Sequence, residues 1–318
     1  MYLRLTTPHR GFTNHDAEIF VDLPPGTSER EIARRLADAG VVPDPWTFRI
    51  AARLARADRR LQAGEYRFAG AATPYDVVSR IVRGDVFHVG LTFPEGLTIR
   101  EMAPIFERHG LGPAADFEHA ASDATLAAGF DIDAKTLEGY LFPSTYRLSR
   151  RATASVVVQT MVTQFARVLD QSLRDEAARQ QMTVREVVTI ASLVEKETAQ
   201  PEERPIVAAV YRNRLEKRMP LQCDPTVIYA LMRQGRWNGN LTKADLQMDS
   251  PFNTYRYAGL PPTPIASPGR GSLEAALRPA DVPYLYFVSR NDGTHVFATT
   301  LAEHNRNVVT WQKTRRNR

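Results

Sequence analysis

Apolar residues recur along the chain at helical spacing in several stretches, and these stretches alternate with short runs of strand-like character. AEIFVDL (17–23) has the pattern of a strand and leads into PPGTSEREIARRLADAGVV, where Ser28 is placed to cap a helix and Gly40 to stop it. A second helix is expected from Asp44 or Pro45 to about Ala57, then a strand within LQAGEYRFAG (61–70). A helix follows over 73–85, with Thr73 as its cap and Pro74 in its first turn. Together these predict a small α+β module. A weak echo follows at an offset of 70 residues, where Gly96, Thr98, Arg100, Glu101, Met102 and Ala103 repeat the string Gly26, Ser28, Arg30, Glu31, Ile32 and Ala33. VFHVGLTFPEG (86–96) reads as the strand into the next unit, and residues 113–136 as short helical pieces.

Farther on, LEGYLFPSTYRL (137–148) is non-periodic and reads as a packed loop with its aromatics in the core. A long helix is expected from about Ala154 to Gln180, and another over MTVREVVTIASLVEKETA. On a wheel of 100° per residue, Val184, Val187, Val188, Ile190, Ala191, Leu193 and Val194 of this second helix fill one arc. Arg185, Glu186, Thr189, Ser192 and Lys196 take the other side. Glu195 and Glu197 both fall on the apolar arc, where lost hydration penalises the charged carboxylate and raises its pKa. A neutral Glu can serve as a proton donor. The competing reading is last-turn acids fraying into solvent, or an ion pair with Arg204, Arg212 or Arg214, so the wheel leaves both acids and these roles open.

PEERPIVAAVYRNRLEKR (201–218) turns Ile206, Val210 and Leu215 inward and its basic residues outward. Asp224 then caps a helix that has Pro225 at its first position. Residues 250–279 are rich in Pro and Gly yet hold several aromatics, the composition of an ordered, cleft-shaping loop. YLYFVSR and THVFATT flank Asn291, Asp292 and Gly293 and predict a hairpin; a last helix starts at Leu301.

Length and composition narrow the function classes. At 318 residues two domains are expected, and the single Cys223 excludes an intrachain disulfide. No metal-ligand spacing, glycine-rich phosphate loop or GxSxG elbow occurs, so neither metal nor cofactor is expected. Of the net charge of +5, Lys313, Arg315, Arg316 and Arg318 in the last eight residues supply four. Basic charge confined to a tail argues against a nucleic-acid partner. No apolar run is long enough to span a membrane.

LEGYLFPSTY, ASLVEKETA, YRNRL, LQCDPTVIY, NTYRYAGLPPTPIASPG, SLEAALRPA, YLYFV and FATTLAEHN, in this order, resemble the endolytic murein transglycosylase family (YceG-like, MltG). The segment 1–16 lacks periodicity and is expected to be flexible; the resemblance implies an α+β fold, with a LysM-like, glycan-associated module over 17–93 and a mainly helical catalytic domain over 94–311. That domain ends in a C-terminal β-hairpin, and a basic tail occupies 312–318. It implies cleavage of peptidoglycan glycan strands between N-acetylmuramic acid and N-acetylglucosamine, leaving a 1,6-anhydromuramic end and so terminating or trimming nascent strands.

The family's acid, the second Glu of its E-K-E-T string, falls on Glu197, with Glu195 as the alternative. Tyr146, Asn213, Gln222, Asp224, Asn253 and Tyr255 lie in the matched motifs as candidates to line the cleft. One acid suffices because the sugar's own C6 hydroxyl is the nucleophile, whereas a water-using glycosidase needs two carboxyls about 5 to 9.5 Å apart. The resemblance further implies a membrane anchor ahead of the module, the periplasmic face of the inner membrane, and penicillin-binding proteins as partners. The alternative is a non-catalytic peptidoglycan-binding scaffold.

Overall fold

The computed structural model describes residues 5, 7–9, 18–57 and 59–313. Most of the segment 1–16 and of the tail 312–318 lies outside these residues. Leu5 is nonetheless buried, and the His9 N–H bonds the Ala72 carbonyl at 3.0 Å. The chain divides into two compact units, one of residues 1–90 with 147–150 and one of residues 91–146 with 151–318.

In the first unit β1 (Glu18–Leu23) is followed by α1 (Glu29–Asp38), α2 (Pro45–Leu54), β2 (Gly64–Ala69) and α3 (Pro74–Arg83). β1 and β2 pair antiparallel, Glu18 opposite Ala69 and Leu23 opposite Gly64. The three helices start where the side chains of Ser28, Asp44 and Thr73 accept a backbone N–H three residues on, satisfying a donor that the first helical turn leaves unpaired. Leu23, Leu36, Phe48, Tyr66 and Ile81 meet in its core.

The remaining elements are β3 (Val89–Thr92), α4 (Ile99–Arg108), α5 (Ala114–Ala120), β4 (Thr145–Leu148), α6 (Ala154–Val168), α7 (Gln171–Arg179), α8 (Val184–Glu197), α9 (Arg204–Glu216), α10 (Asp224–Arg233), α11 (Arg270–Leu277), β5 (Tyr286–Ser289), β6 (His295–Ala298) and α12 (Leu301–Val308). β3 pairs with β4 and β5 with β6, so the described residues are α+β, with twelve α-helices and three two-stranded sheets.

Several elements differ from the pattern reading. The helix expected over 154–180 is two helices, because Leu169 leaves helical geometry (φ −73°, ψ 64°) and Asp170 caps a new start by accepting the Leu173 N–H. The strand expected over 86–96 forms only over Val89–Thr92, and the loop 137–148 ends in β4. The cleft-shaping loop 250–279 contains α11, which packs on α8. That cover explains why α8 is buried all round from Val187 to Val194, Thr189 and Ser192 included. Ser192 is satisfied there, donating to the Thr189 carbonyl (2.7 Å) and accepting the Ile265 N–H (3.1 Å).

Gly139 sits at φ 86°, and an added Cβ would lie 2.4 Å from Pro264 Cβ, so this close approach to the loop admits only glycine. No helix among the described residues is long and apolar enough to cross a membrane.

Candidate active site

α8 begins with a reciprocal capping box between Thr183 and Glu186 and ends at Glu197, after which Thr198 turns to extended geometry. The last turn presents three charged side chains with three different fates. Lys196 is exposed and donates to the Gly96 carbonyl at 3.0 Å. Glu195 is engaged in the protein's own contacts: its Oε2 accepts the Gly269 N–H (3.0 Å) and the Ser272 hydroxyl (2.7 Å) at the start of α11. Arg204 lies 3.7 Å from Oε1. This is the ion-pair reading of the wheel, realised at one of the two acids.

Glu197 opens instead on a cavity of about 470 Å³. Its Oε2 accepts the Tyr211 hydroxyl at 3.1 Å and lies 3.8 Å from Cys223 Sγ. Burial raises its pKa and neighbouring Asp224 acts the same way, against the Tyr211 hydrogen bond and the charge of His295. The Tyr211 and Cys223 side chains are themselves held neutral, chiefly by burial.

The cavity wall takes Arg214 from α9, Leu221 and Gln222 from the next turn, Asp224 from α10, Tyr255 from the following loop and Phe287 and His295 from the hairpin; α12 closes it with His304 and Val308. Gln222 holds a left-handed φ of 51°, rare for a residue with a side chain, and accepts from Arg214 at 3.2 Å through Oε1. Asp224 does not cap α10 as expected. It is the first helical residue, Cys223 precedes it without a side-chain cap, and its Oδ1 accepts the Tyr255 hydroxyl at 2.5 Å. The carboxylate is thereby turned to the cavity.

Of the residues expected to line the cleft, Gln222, Asp224 and Tyr255 join Glu197, and three others do not. Tyr146 is buried, its ring against Phe93 and its hydroxyl donating to the Phe142 carbonyl at 2.6 Å. Asn213 donates to the carbonyls of Val282 (2.8 Å) and Tyr284 (2.9 Å), fastening the approach to β5. Asn253 is fully buried, donating to Leu246 and Met248 while its Oδ1 accepts the Tyr255 N–H at 3.0 Å, so it acts on the cavity only by holding Tyr255. Each of these side chains donates to backbone carbonyls, and none of the three lines the cavity.

Sequence reasoning missed Tyr211, Arg214, Glu203 and His295. Arg214, expected outward, is buried and donates to the carbonyls of Leu285 (2.6 Å), Pro220 (3.1 Å) and Leu221 (2.9 Å). Tyr211 is spaced one turn from Arg214 in the YRNRL string, a signal that was available. His295 lies on a short alternating strand and carried none. Among the described residues no group of three His, Cys, Asp or Glu is arranged to hold a metal ion.

The fold and cavity define an α+β protein with a carboxyl whose pKa burial raises in the wall of a polar cleft. A model of the YceG-like family matches residues 21–310, and the chain belongs to that family. It is similar to the endolytic murein transglycosylase of Bacillus subtilis (strain 168), 42% identical over 171 residues that make up 54% of this chain and 46% of the relative. The endolytic murein transglycosylase of Streptococcus pneumoniae serotype 2 (strain D39) is 30% identical over an alignment of 336 positions, covering 93% of this chain and 59% of the relative. The chain thus spans about half to three-fifths of these curated relatives. The crystal structure of a putative yceG-like protein from Listeria monocytogenes superposes with a TM-score of 0.63 at 33% identity, covering 91% of this chain and 98% of that one.

Proposed function

We propose that this chain is a lytic transglycosylase that cuts the bond between N-acetylmuramic acid and N-acetylglucosamine in peptidoglycan strands, with Glu197 as its general acid and base. The observation that carries the reading is the contrast between the two acids of α8. Glu195 is consumed by Gly269, Ser272 and Arg204, while Glu197 is a carboxyl whose pKa burial raises, set at a cavity. In this mechanism Glu197 protonates the departing glycosidic oxygen. The resulting carboxylate takes the proton of the C6 hydroxyl as that oxygen closes on C1, so the product is an anhydro sugar and the acid is restored.

Polar Gln222, Asp224 and Tyr255 are proposed to orient the sugar and to balance the charge that develops on its ring. Family membership is also the ground for reading the first unit as a LysM-like glycan-binding module. On the same ground the enzyme is assigned to the periplasmic face of the inner membrane, trimming nascent strands near penicillin-binding proteins.

Digestion of purified glycan strands in oxygen-18 water tests the chemistry: a lyase leaves no label at the new ends, and label there means hydrolysis. Glu197→Gln is expected to lower the rate by about 10²–10⁴-fold, the usual contribution of a positioned acid or base, and to leave the fold intact. Glu195→Gln is expected to keep most activity and to lose roughly 1–3 kcal/mol of stability, read by urea unfolding, because Arg204 loses its buried partner. If the effects on activity are exchanged, the assignment moves to Glu195. If wild-type protein binds strands and releases no product, the chain is a scaffold.

A further inference from the structure

Beside Glu197 the cavity holds a second titratable assembly. The Glu203 carboxylate accepts twice from one residue, the His295 backbone N–H (2.8 Å) through Oε1 and its ring nitrogen Nδ1 (2.7 Å) through Oε2. Thr198, the residue after Glu197, also donates to Oε2, at 3.2 Å. Both side chains are nearly enclosed, 10% and 13% exposed. A carboxylate can only accept, so Nδ1 carries a hydrogen and Nε2 is left for the opposite side of the ring, the relation that commonly fixes a functional histidine. Phe287 and Phe297 flank the ring and hold its plane.

The charges around the cavity give this dyad a task. When Glu197 releases its proton, a second carboxylate appears in a space that already contains Asp224 and adjoins Glu203. Two other basic side chains face the same space. Arg214 is committed to three backbone carbonyls and Gln222, and burial, with the charge of Arg214, pushes the His304 pKa below the usual imidazole range. His295, held by Glu203 and set in the cavity wall that Glu197 shares, is the remaining basic side chain facing that space.

We propose that His295, aligned by Glu203, is a positioning residue that supplies the positive charge against which Glu197 releases its proton and holds the carboxylate until the substrate's hydroxyl proton returns. The proposal rests on Glu197 being the acid. The ring exchanges no proton with the substrate. The proton leaves Glu197 for the departing oxygen as the C1–O bond breaks, and the proton of the C6 hydroxyl replaces it as the new C1–O6 bond forms. His295 therefore changes the energy of the intermediate charge state and contributes no atom to the product.

The test titrates Glu197 directly, by isotope-edited infrared spectroscopy of its carboxyl band, identified by its loss in Glu197→Gln. His295→Asn places an amide donor where Nδ1 stood and keeps the Glu203 contact while removing the charge; His295→Gln serves if that variant does not fold. The midpoint of the Glu197 band is expected to move up by about one pH unit or more, with kcat down roughly tenfold or more and KM within about twofold. His295→Lys, which restores a cation, is expected to recover part of both shifts. An unmoved midpoint, or a lysine variant no different from the neutral one, overturns the proposal. Absence of anhydro product from wild-type protein sinks the lyase reading alone, because the infrared midpoint reports on the dyad without substrate.

Discussion

Replacing Glu138 by Gln should flatten the dependence of stability on pH. Glu138, from the LEGY string, ties two helices of the second unit together: Oε1 accepts the Ile99 N–H at the start of α4 (3.0 Å) and Oε2 accepts the Tyr229 hydroxyl of α10 (3.1 Å). It is only 6% exposed. Burial lifts its pKa from the ordinary 4.5 to about 7, with the two hydrogen bonds opposing the rise. Between those values the folded chain keeps a proton that the unfolded chain has released, so raising the pH favours unfolding. The contribution is complete below the unfolded pKa and lost once the pH passes about 7.

At 1.36 kcal/mol per pH unit, the displacement corresponds to about 3 kcal/mol. The substituted glutamine would keep an oxygen for Ile99 and offer an amide to the Tyr229 oxygen, but it does not titrate. Urea unfolding of both proteins at pH values from about 4.5 to about 8 should show wild type losing about 3 kcal/mol relative to Glu138→Gln as the pH rises. A gap between the two that stays constant across this range refutes the reasoning.

Tyr211→Phe removes the hydroxyl that stabilises the Glu197 carboxylate, so the Glu197 pKa rises further and the protonated acid persists to higher pH. Because activity is lost as the pH rises through that pKa, the alkaline limb of the pH–rate profile should move upward; a limb that stays in place contradicts the assignment. Gly139→Ala forces a side chain into a left-handed backbone and against Pro264. It should cost roughly 2–5 kcal/mol, read as a lower urea midpoint with an unchanged slope.

The helices of the first unit could be bounded from the chain because their signals are local. Ser28, Asp44 and Thr73 each sit three residues before the N–H they accept, and that relation survives in any tertiary setting. The break at Leu169 was hidden because the apolar period runs unbroken across it, and only the competing cap at Asp170 ends the first helix. Burial of Thr189 and Ser192 was equally illegible. Periodicity assumes one polar face in water, and here that face is covered by a loop and a helix from 70 to 90 residues downstream.

By itself, the order of residues determined that a helix would carry two acids on its apolar arc, since position on a wheel depends only on spacing. Which acid remained available was decided in three dimensions. Ser272 and the backbone N–H of Gly269 reach Glu195 from more than 70 residues away, whereas Glu197 meets Tyr211, Asp224 and the Glu203–His295 pair. The proton affinity of a carboxyl depends on the groups within a few ångströms of it, and chain spacing does not encode which distant segments arrive there.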